Sequence, residues 1–247
     1  MVLELEKCLL EAVGKTKEEL SNLNPYKEFG FDKDKNRLGW LRVYKFSDIK
    51  KSLEEISSFL FKYKYFVFVG MGGSINGVAL LISLFKNNNL YTINSLDPLA
   101  LKEVISKIDI KDTLIIPISK SGSTVETQLI SLALRELFKE NYKEHFLWLS
   151  DPTAFSNLDN LGWKDVKKIP IQFDSLTDIG GRFSCPNTLI FFLPLFLLLK
   201  GDFKKLERIY NKYVSLQEKV RRDAYNLSKK YSSKDAYFYI KKDKNIN

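Results

Sequence analysis

Short apolar runs rich in β-branched and aromatic residues alternate with stretches of helical period through most of this 247-residue chain. Runs of that length, separated by helical segments, are typical of parallel strands joined by helical crossovers. Such crossovers are right-handed and leave helices on both faces of the sheet. We therefore predict an α/β fold, a doubly wound parallel five-stranded sheet. The predicted strands are residues 65–69, 91–96, 113–119, 145–150 and 166–171.

Helical patterns flank the predicted sheet on both sides. Residues 1–60 are helical and polar in pattern, and the stretch "SDIKKSLEEISSFLFKY", which begins at Ser47 and runs to Tyr63, is clearly amphipathic. An apolar run, "LIFFLPLFLLL", covers residues 189–199, and an amphipathic helix is predicted from Phe203 to about Tyr231. A membrane span needs about 20 apolar residues, so this shorter run is predicted to be a helix buried in the protein. We predict an N-terminal helical segment (1–60), a core domain (61–200) and a C-terminal helical connector (201–247).

Charge and cysteine content exclude several classes of function. The formal net charge is +9, but the lysines are scattered along the chain and form no known nucleic-acid module, so we predict no nucleic-acid partner. Cys8 and Cys185 lie far apart without metal-ligand spacing, which favours a reducing compartment and predicts no metal site. The first residues are acidic where a signal peptide needs an apolar core, so we expect a cytoplasmic protein with no membrane contact.

The first candidate site is the glycine-rich stretch "VGMGGSINGVAL", residues 69–80, which follows the first predicted strand. A dinucleotide site needs G-x-G-x-x-G, but Ile75 stands where the third glycine is required. A mononucleotide P-loop needs a lysine and a hydroxyl residue where this chain has Val78 and Ala79. A strand, a glycine turn and a helix nevertheless place backbone N–H groups where an anion or a sugar hydroxyl can bind. The turn predicts a ligand smaller than a nucleotide.

The second candidate site is "SKSGSTVET", residues 119–127, a hydroxyl-rich turn that follows the third predicted strand. Ser123 and Glu126 have the spacing of a capping box, so one interpretation is an ordinary helix start. The other interpretation is a phosphate site, because the turn offers more hydroxyls than capping consumes. Phosphate oxygens accept several hydrogen bonds, and the helix dipole favours their charge. The residues alone leave both interpretations open.

The third candidate site is "GGRFS", residues 180–184, between the last predicted strand and the buried helix. An arginine held between a glycine pair and a packed phenylalanine can direct its guanidinium into a site and stabilise a developing oxyanion. The alternative is a surface arginine in a turn, and the motif by itself does not decide between them.

In their order and at these strand ends, the three motifs resemble the glucose-6-phosphate isomerase (phosphoglucose isomerase) family. The resemblance covers about residues 60–200, includes the "FLP" of residues 192–194, and corresponds to the first of the family's two sugar isomerase (SIS) domains. It implies interconversion of glucose 6-phosphate and fructose 6-phosphate through an enediol, without metal or cofactor. It further implies a phosphosugar substrate, a place in glycolysis and gluconeogenesis, and a homodimer in the complete enzyme.

The resemblance also implies roles for individual residues. Gly73 and Ser74 match positions near the sugar, and Arg182 matches the catalytic arginine that stabilises the enediolate. The substrate-binding positions that match the family's phosphate loop are Ser119, Lys120 through its backbone N–H, Ser121 and Thr124.

Two departures from the family affect the functional hypothesis. Asn76 replaces a usual leucine, which concerns helix packing more than chemistry. The family's general base lies in the second SIS domain, and this chain ends before the matching position, so we expect a fragment or truncated form that lacks the base. The single histidine, His145, is predicted to be structural. The alternative function is a non-catalytic phosphosugar-binding SIS module, which has no special use for the arginine motif. A third hypothesis, an isomerase domain of the amidotransferase type, is disfavoured because such domains resemble the hydroxyl loop but lack the arginine motif.

Overall fold

The computed structural model describes residues 44–173 and 187–230, with the side chains of residue 221 and residues 224–230 left undescribed. Of the described residues, 44–173 and 187–206 belong to one compact unit, which contains the sheet. The described residues 207–230 belong to a second unit and are helical. Most of the predicted N-terminal helical segment and the "GGRFS" motif lie outside the described residues. The proposed domain boundaries therefore stay a prediction.

The sheet unit contains five strands and the helices that connect them. The strands are β1 (Tyr65–Gly70), β2 (Leu90–Ile93), β3 (Thr113–Ile118), β4 (Leu147–Ser150) and β5 (Lys167–Pro170). The α-helices of the described residues are α1 (Phe46–Leu60), α2 (Asn76–Phe85), α3 (Pro98–Ile105), α4 (Val125–Phe138), α5 (Phe155–Leu158), α6 (Leu189–Leu198) and α7 (Phe203–Lys230), of which α7 lies mostly in the second unit. Short 3-10 turns at Gly72–Ser74, Ile110–Asp112, Lys139–Lys143 and Pro152–Ala154, and a π-type turn at Asp159–Trp163, complete the connections.

All the strands of this sheet run parallel, in the order β2-β1-β3-β4-β5. The predicted fold class is therefore confirmed. From β1 the chain moves first to β2 on one side and then returns to β3 on the other side. The carboxyl ends of β1 and β3 thus form the topological switch point, which is where ligands bind in open sheets of this class.

Strand β3 is fully buried and contains a proline in the centre of the sheet. The N–H of Ile115 donates to His145 O at 2.8 Å, and the N–H of Ser119 donates to Leu149 O at 3.1 Å. Pro117 lies midway between these two donors and has no N–H to give. The pairing of β3 with β4 is accordingly interrupted between Ile115 and Ile118. Proline is tolerated here because it removes one rung of a ladder that the neighbouring strands otherwise hold.

One face of the sheet is covered by α4 and the turns after β4. The buried side chains of Ile130 and Leu134 on α4 join those of Trp148 and Trp163 in one apolar cluster. The indole N–H of Trp163 donates to Gln128 Oε1 at 2.9 Å. The indole N–H of Trp148 is equally buried and meets no acceptor among the described residues. These two tryptophans thus differ in polar pairing and share the same degree of burial.

The apolar run at residues 189–199 forms α6, and nearly every side chain of this helix is buried. Pro194 lies inside the helix, where it removes one backbone donor. The predicted buried helix is therefore confirmed. Among the described residues no helix has the length and apolar character needed to cross a membrane.

Replacing Trp163 with Phe should destabilise the fold by about 1–3 kcal/mol more than replacing Trp148 with Phe. Both changes remove the same atoms from fully buried positions, but only the first leaves a buried acceptor, Gln128 Oε1, without its donor. Urea denaturation of the two variants measures the difference directly. Equal losses of unfolding free energy would show that the indole to Gln128 bond contributes nothing net.

Candidate functional site

The first two candidate motifs meet at the switch point of the sheet. Gly70 and Ile118 are register partners at the carboxyl ends of β1 and β3. A side-chain β-carbon on Gly70 would lie 3.1 Å from Ile118 O and 3.5 Å from Ser74 Cβ. Glycine is therefore needed at position 70 because the backbone of β3 passes too close for a side chain. This close approach brings Ser74 beside the strand that leads into Ser119.

The glycine-rich stretch forms a 3-10 turn, Gly72–Ser74, between β1 and α2. Gly72 begins this turn with φ of +54°, a left-handed conformation that glycine adopts most readily. The N–H of Ser74 donates to Met71 O at 3.2 Å, which closes the turn. Gly73 and Ser74 are half-buried, so both remain open to a ligand at the strand ends.

Two of the hydrogen bonds that hold the backbone of the hydroxyl loop, residues 119–124, orient its first two peptide planes. Ser119 O accepts from the N–H of Gly122 at 3.1 Å, and Lys120 O accepts from the N–H of Asp151 at 3.1 Å. In a planar trans peptide the N–H points opposite to the carbonyl of the same unit. The N–H groups of Lys120 and Ser121 are therefore aimed away from the partners that hold these carbonyls. The loop has fixed donor directions before any ligand binds.

The hydroxyl groups of the loop are paired in a way that leaves donors available. Ser119 Oγ lies 3.0 Å from Thr124 Oγ1, and Ser123 Oγ donates to Ser121 Oγ at 2.9 Å. A hydroxyl has one hydrogen to donate and two lone pairs that accept. Ser121 accepts within its pair and therefore keeps its hydrogen for another acceptor. Ser119 is 2% exposed and Thr124 is half-buried, so Thr124 is the member of its pair that can reach a ligand.

The capping-box interpretation of the loop is wrong. Helix α4 begins at Val125 with Thr124 as its N-cap residue, and the Thr124 side chain accepts no hydrogen bond from the helix. Ser123, the expected cap, instead bonds to Ser121. The hydroxyls are used among themselves, and the helix N-terminus is left without a side-chain cap. This arrangement favours the second interpretation, an anion site at the start of α4.

A series of hydrogen bonds between buried polar groups holds the hydroxyl loop in place. No sequence motif indicated this series. Gly122 O accepts from Gln128 Nε2 at 2.7 Å, and Gln128 Oε1 accepts from the Trp163 indole at 2.9 Å. Gly122 has φ of +63°, and a β-carbon there would lie 3.1 Å from Leu158 Cγ and 3.2 Å from Ala154 Cβ. The only sequence signal for this support was a polar residue, Gln128, on the apolar face of α4.

The other candidate residues lie away from this edge or outside the described residues. His145 precedes β4, at the opposite edge of the sheet, where its Nδ1 lies 2.8 Å from Thr113 O and its ring stacks on Phe138 at 4.6 Å. This placement agrees with the structural role predicted for it. Glu126 is exposed in the first turn of α4. Arg182 lies outside the described residues, so its proposed role stays a prediction.

A comparison with known protein families identifies the family to which the chain belongs. The phosphoglucose isomerase family matches residues 49–218, a range that spans α1 to α7 and includes both motifs at the switch point. The chain belongs to the phosphoglucose isomerase family. The resemblance predicted from the three motifs is therefore confirmed.

Relatives within the family share about a third of their residues with this chain over the matched region. The glucose-6-phosphate isomerase of Borreliella afzelii is 32% identical over 175 residues, which are 62% of this chain and 32% of that protein. The glucose-6-phosphate isomerase of Methanocaldococcus jannaschii is 30% identical over 150 residues, 59% of this chain and 35% of that protein. The matched region thus spans about a third of the length of these relatives.

A solved structure shares the fold. A hypothetical protein from Thermus thermophilus has a TM-score of 0.52 and 22% sequence identity, over 78% of this chain and 43% of the other. At that identity the match concerns the fold alone.

Replacing Gly122 with Ala should lower the unfolding free energy by about 1–3 kcal/mol more than replacing Gly72 with Ala. Both positions have left-handed φ, so the backbone strain of an alanine is similar at the two sites. Only at Gly122 would the added methyl meet buried atoms, whereas nothing lies within 4 Å at Gly72. Urea unfolding of the pair is the measurement. Equal destabilisation would contradict the tight packing of the loop against α5.

Proposed function

We propose that this chain binds a sugar phosphate at the hydroxyl loop and contributes that site to the interconversion of glucose 6-phosphate and fructose 6-phosphate. The main observation in support is the loop itself, with fixed backbone N–H directions and paired hydroxyls at the uncapped start of α4. Membership of the phosphoglucose isomerase family supports the isomerase over a regulatory binding module.

The phosphate group is proposed to occupy the start of α4. Ser121 and Thr124 donate their hydroxyl hydrogens to the phosphate oxygens. The backbone N–H groups of Lys120 and Ser121, whose directions the loop fixes, donate to the same group. Several donors converge on one anion in this way, and the helix dipole favours the negative charge. Ser119 serves as the buried partner that orients Thr124, because the residue is only 2% exposed.

The sugar is proposed to extend from the phosphate toward the end of β1. Ser74 and Gly73 lie on the neighbouring strand end, and the half-buried Ser74 hydroxyl can bond a sugar hydroxyl there. We assign Arg182 the stabilisation of enediolate charge, since a fixed guanidinium is suited to a developing oxyanion. No cofactor enters this scheme, because an enediol intermediate needs only proton transfers and charge stabilisation.

Proton transfer between C2 and C1 requires a general base within hydrogen-bond reach, which contributes about 10²–10⁴-fold to the rate. The residues assigned to the site supply hydroxyls, backbone N–H groups and one guanidinium. None of these groups removes a carbon-bound proton near neutral pH. We therefore propose that the base comes from residues outside the assigned set, and that this chain supplies phosphate binding and oxyanion stabilisation.

Titration calorimetry with 6-phosphogluconate should detect binding to the wild-type chain and weaker binding to the Ser119→Ala, Thr124→Ala double variant. Each charge-assisted hydrogen bond that is lost should reduce binding by about 1.5–3 kcal/mol. Because the two hydroxyls bond to each other, removing both leaves no buried partner unpaired, so the fold should keep its stability.

Ser106→Ala is a matched control for this titration. Its hydroxyl donates to Glu103 O at 2.8 Å at the C-terminal end of α3 and lies in no candidate motif. The control should bind as tightly as wild type. Equal affinity of the double variant and wild type would remove the hydroxyl loop from the phosphate site.

The 247-residue chain assayed alone should show little isomerase turnover even where it binds ligand. The reason is the missing base among the assigned residues, since binding and charge stabilisation alone do not move the proton. A coupled assay that converts fructose 6-phosphate to glucose 6-phosphate provides the measurement. Turnover of about 10 s⁻¹, a usual enzyme value, would show that a group such as Glu126 acts as the base.

A further inference from the structure

We propose that Asp151 is a positioning residue of the hydroxyl loop, joining the Lys120–Ser121 peptide to the end of β5. This inference rests on the proposed phosphate site and adds a residue that no motif indicated. Asp151 follows β4 directly and its side chain is 1% exposed. A carboxylate buried to this degree must be held by several donors, because an unpaired buried charge is strongly unfavourable.

The first connection runs from the Asp151 backbone to the loop. Its N–H donates to Lys120 O at 3.1 Å. That bond orients the plane of the Lys120–Ser121 peptide, and the Ser121 N–H points opposite to the bonded carbonyl. The direction of a proposed phosphate donor is thus set by where the Asp151 N–H lies.

The second connection holds the turn after β4 in place. Asp151 Oδ1 accepts from the Thr153 N–H at 3.0 Å and from Thr153 Oγ1 at 2.7 Å. This pair of bonds caps the Pro152–Ala154 turn. Ala154 belongs to the wall against which Gly122 packs, since a β-carbon on Gly122 would lie 3.2 Å from Ala154 Cβ. The carboxylate therefore also controls the surface that supports the loop.

The third connection reaches the end of β5. Asp151 Oδ2 accepts from Gln172 Nε2 at 3.0 Å, and Gln172 is 3% exposed. Ile171, beside it, donates its N–H to Ser150 O at 3.0 Å, so the two chain segments run side by side at this point. Asp151 thus joins three segments: its backbone N–H bonds the hydroxyl loop, and its carboxylate bonds the turn after β4 and the exit of β5.

The test uses Asp151→Asn and a polarity swap, Asp151→Asn with Gln172→Glu, in the full chain. Asparagine keeps an acceptor for Thr153 but presents an amide N–H in place of Oδ2, so the wild-type bond from Gln172 Nε2 is lost and the Gln172 amide must turn over to pair again. We expect the affinity for 6-phosphogluconate to fall on the order of tenfold in the single variant, because supporting residues commonly have effects of that size. The swap restores one donor and one acceptor at unchanged net charge and should recover most of the affinity.

Asp109→Asn is the matched control, because Asp109 caps the Ile110–Asp112 turn by accepting from the Lys111 N–H at 3.0 Å in the same manner. It lies before β3, at the other edge of the sheet, and should leave affinity unchanged. Urea unfolding of each variant confirms that it is folded under the titration conditions. If Asp151→Asn does not fold, Thr153→Val removes the 2.7 Å bond alone and should weaken binding in the same direction.

Three results would overturn the inference while leaving the proposed function intact. They are wild-type affinity in a folded Asp151→Asn variant, no recovery in the swap, and an equal loss in the Asp109→Asn control. If Asp151→Asn does not fold, wild-type affinity in Thr153→Val is the result that overturns it. Absence of 6-phosphogluconate binding to the wild-type chain would instead overturn the proposed function, and the inference with it.

Discussion

The parallel pairing of β1 with β3 is the constraint on which the rest of the candidate site depends. Six register pairs join these strands, and the last is Gly70 with Ile118. Because both strands run the same way, the turn after each begins at the same edge, and their motifs meet. A glycine at position 70 permits the approach, since a β-carbon there would lie 3.1 Å from Ile118 O. Without this pairing, the two motifs would be separate helix starts and could not form one candidate site.

Polar groups buried beneath the site give the hydroxyl loop its shape. Gln128 and Asp151 are polar residues buried in the interior. The Gln128 side chain bonds Gly122, and the Asp151 side chain bonds the turn after β4. Hydrogen bonds in a low-dielectric interior are strong when satisfied and unfavourable when broken, so they specify one geometry. For the proposed phosphate, a loop held in this way has its donors oriented before binding, which would reduce the entropy lost on binding.

The family assignment and the geometry of the hydroxyl loop concern the same part of the chain but rest on different observations. Family membership comes from residues 49–218, whereas the hydroxyl geometry comes from distances within the loop. The capping-box interpretation, one of the two that the sequence left open, is informative because the structure contradicts it. Ser123 and Glu126 have capping-box spacing, but Ser123 bonds to Ser121, and the N-terminus of α4 keeps no side-chain cap. Short-range spacing identified the right residues and assigned them the wrong partners.

The sequence by itself determined the fold class, the order of strands and helices along the chain, and the candidate loops. Hydrophobic period distinguishes strands from helices because side chains alternate differently in each, and this signal is local. Strand ends still needed correction, since β2 ends at Ile93 where the apolar run predicts Leu96. Only the tertiary structure decided the hydroxyl pairs and the support from Gln128 and Asp151. Those contacts join residues that are distant in sequence and meet only when helices and strands pack together. A local pattern in the sequence does not encode which side chains meet in this way.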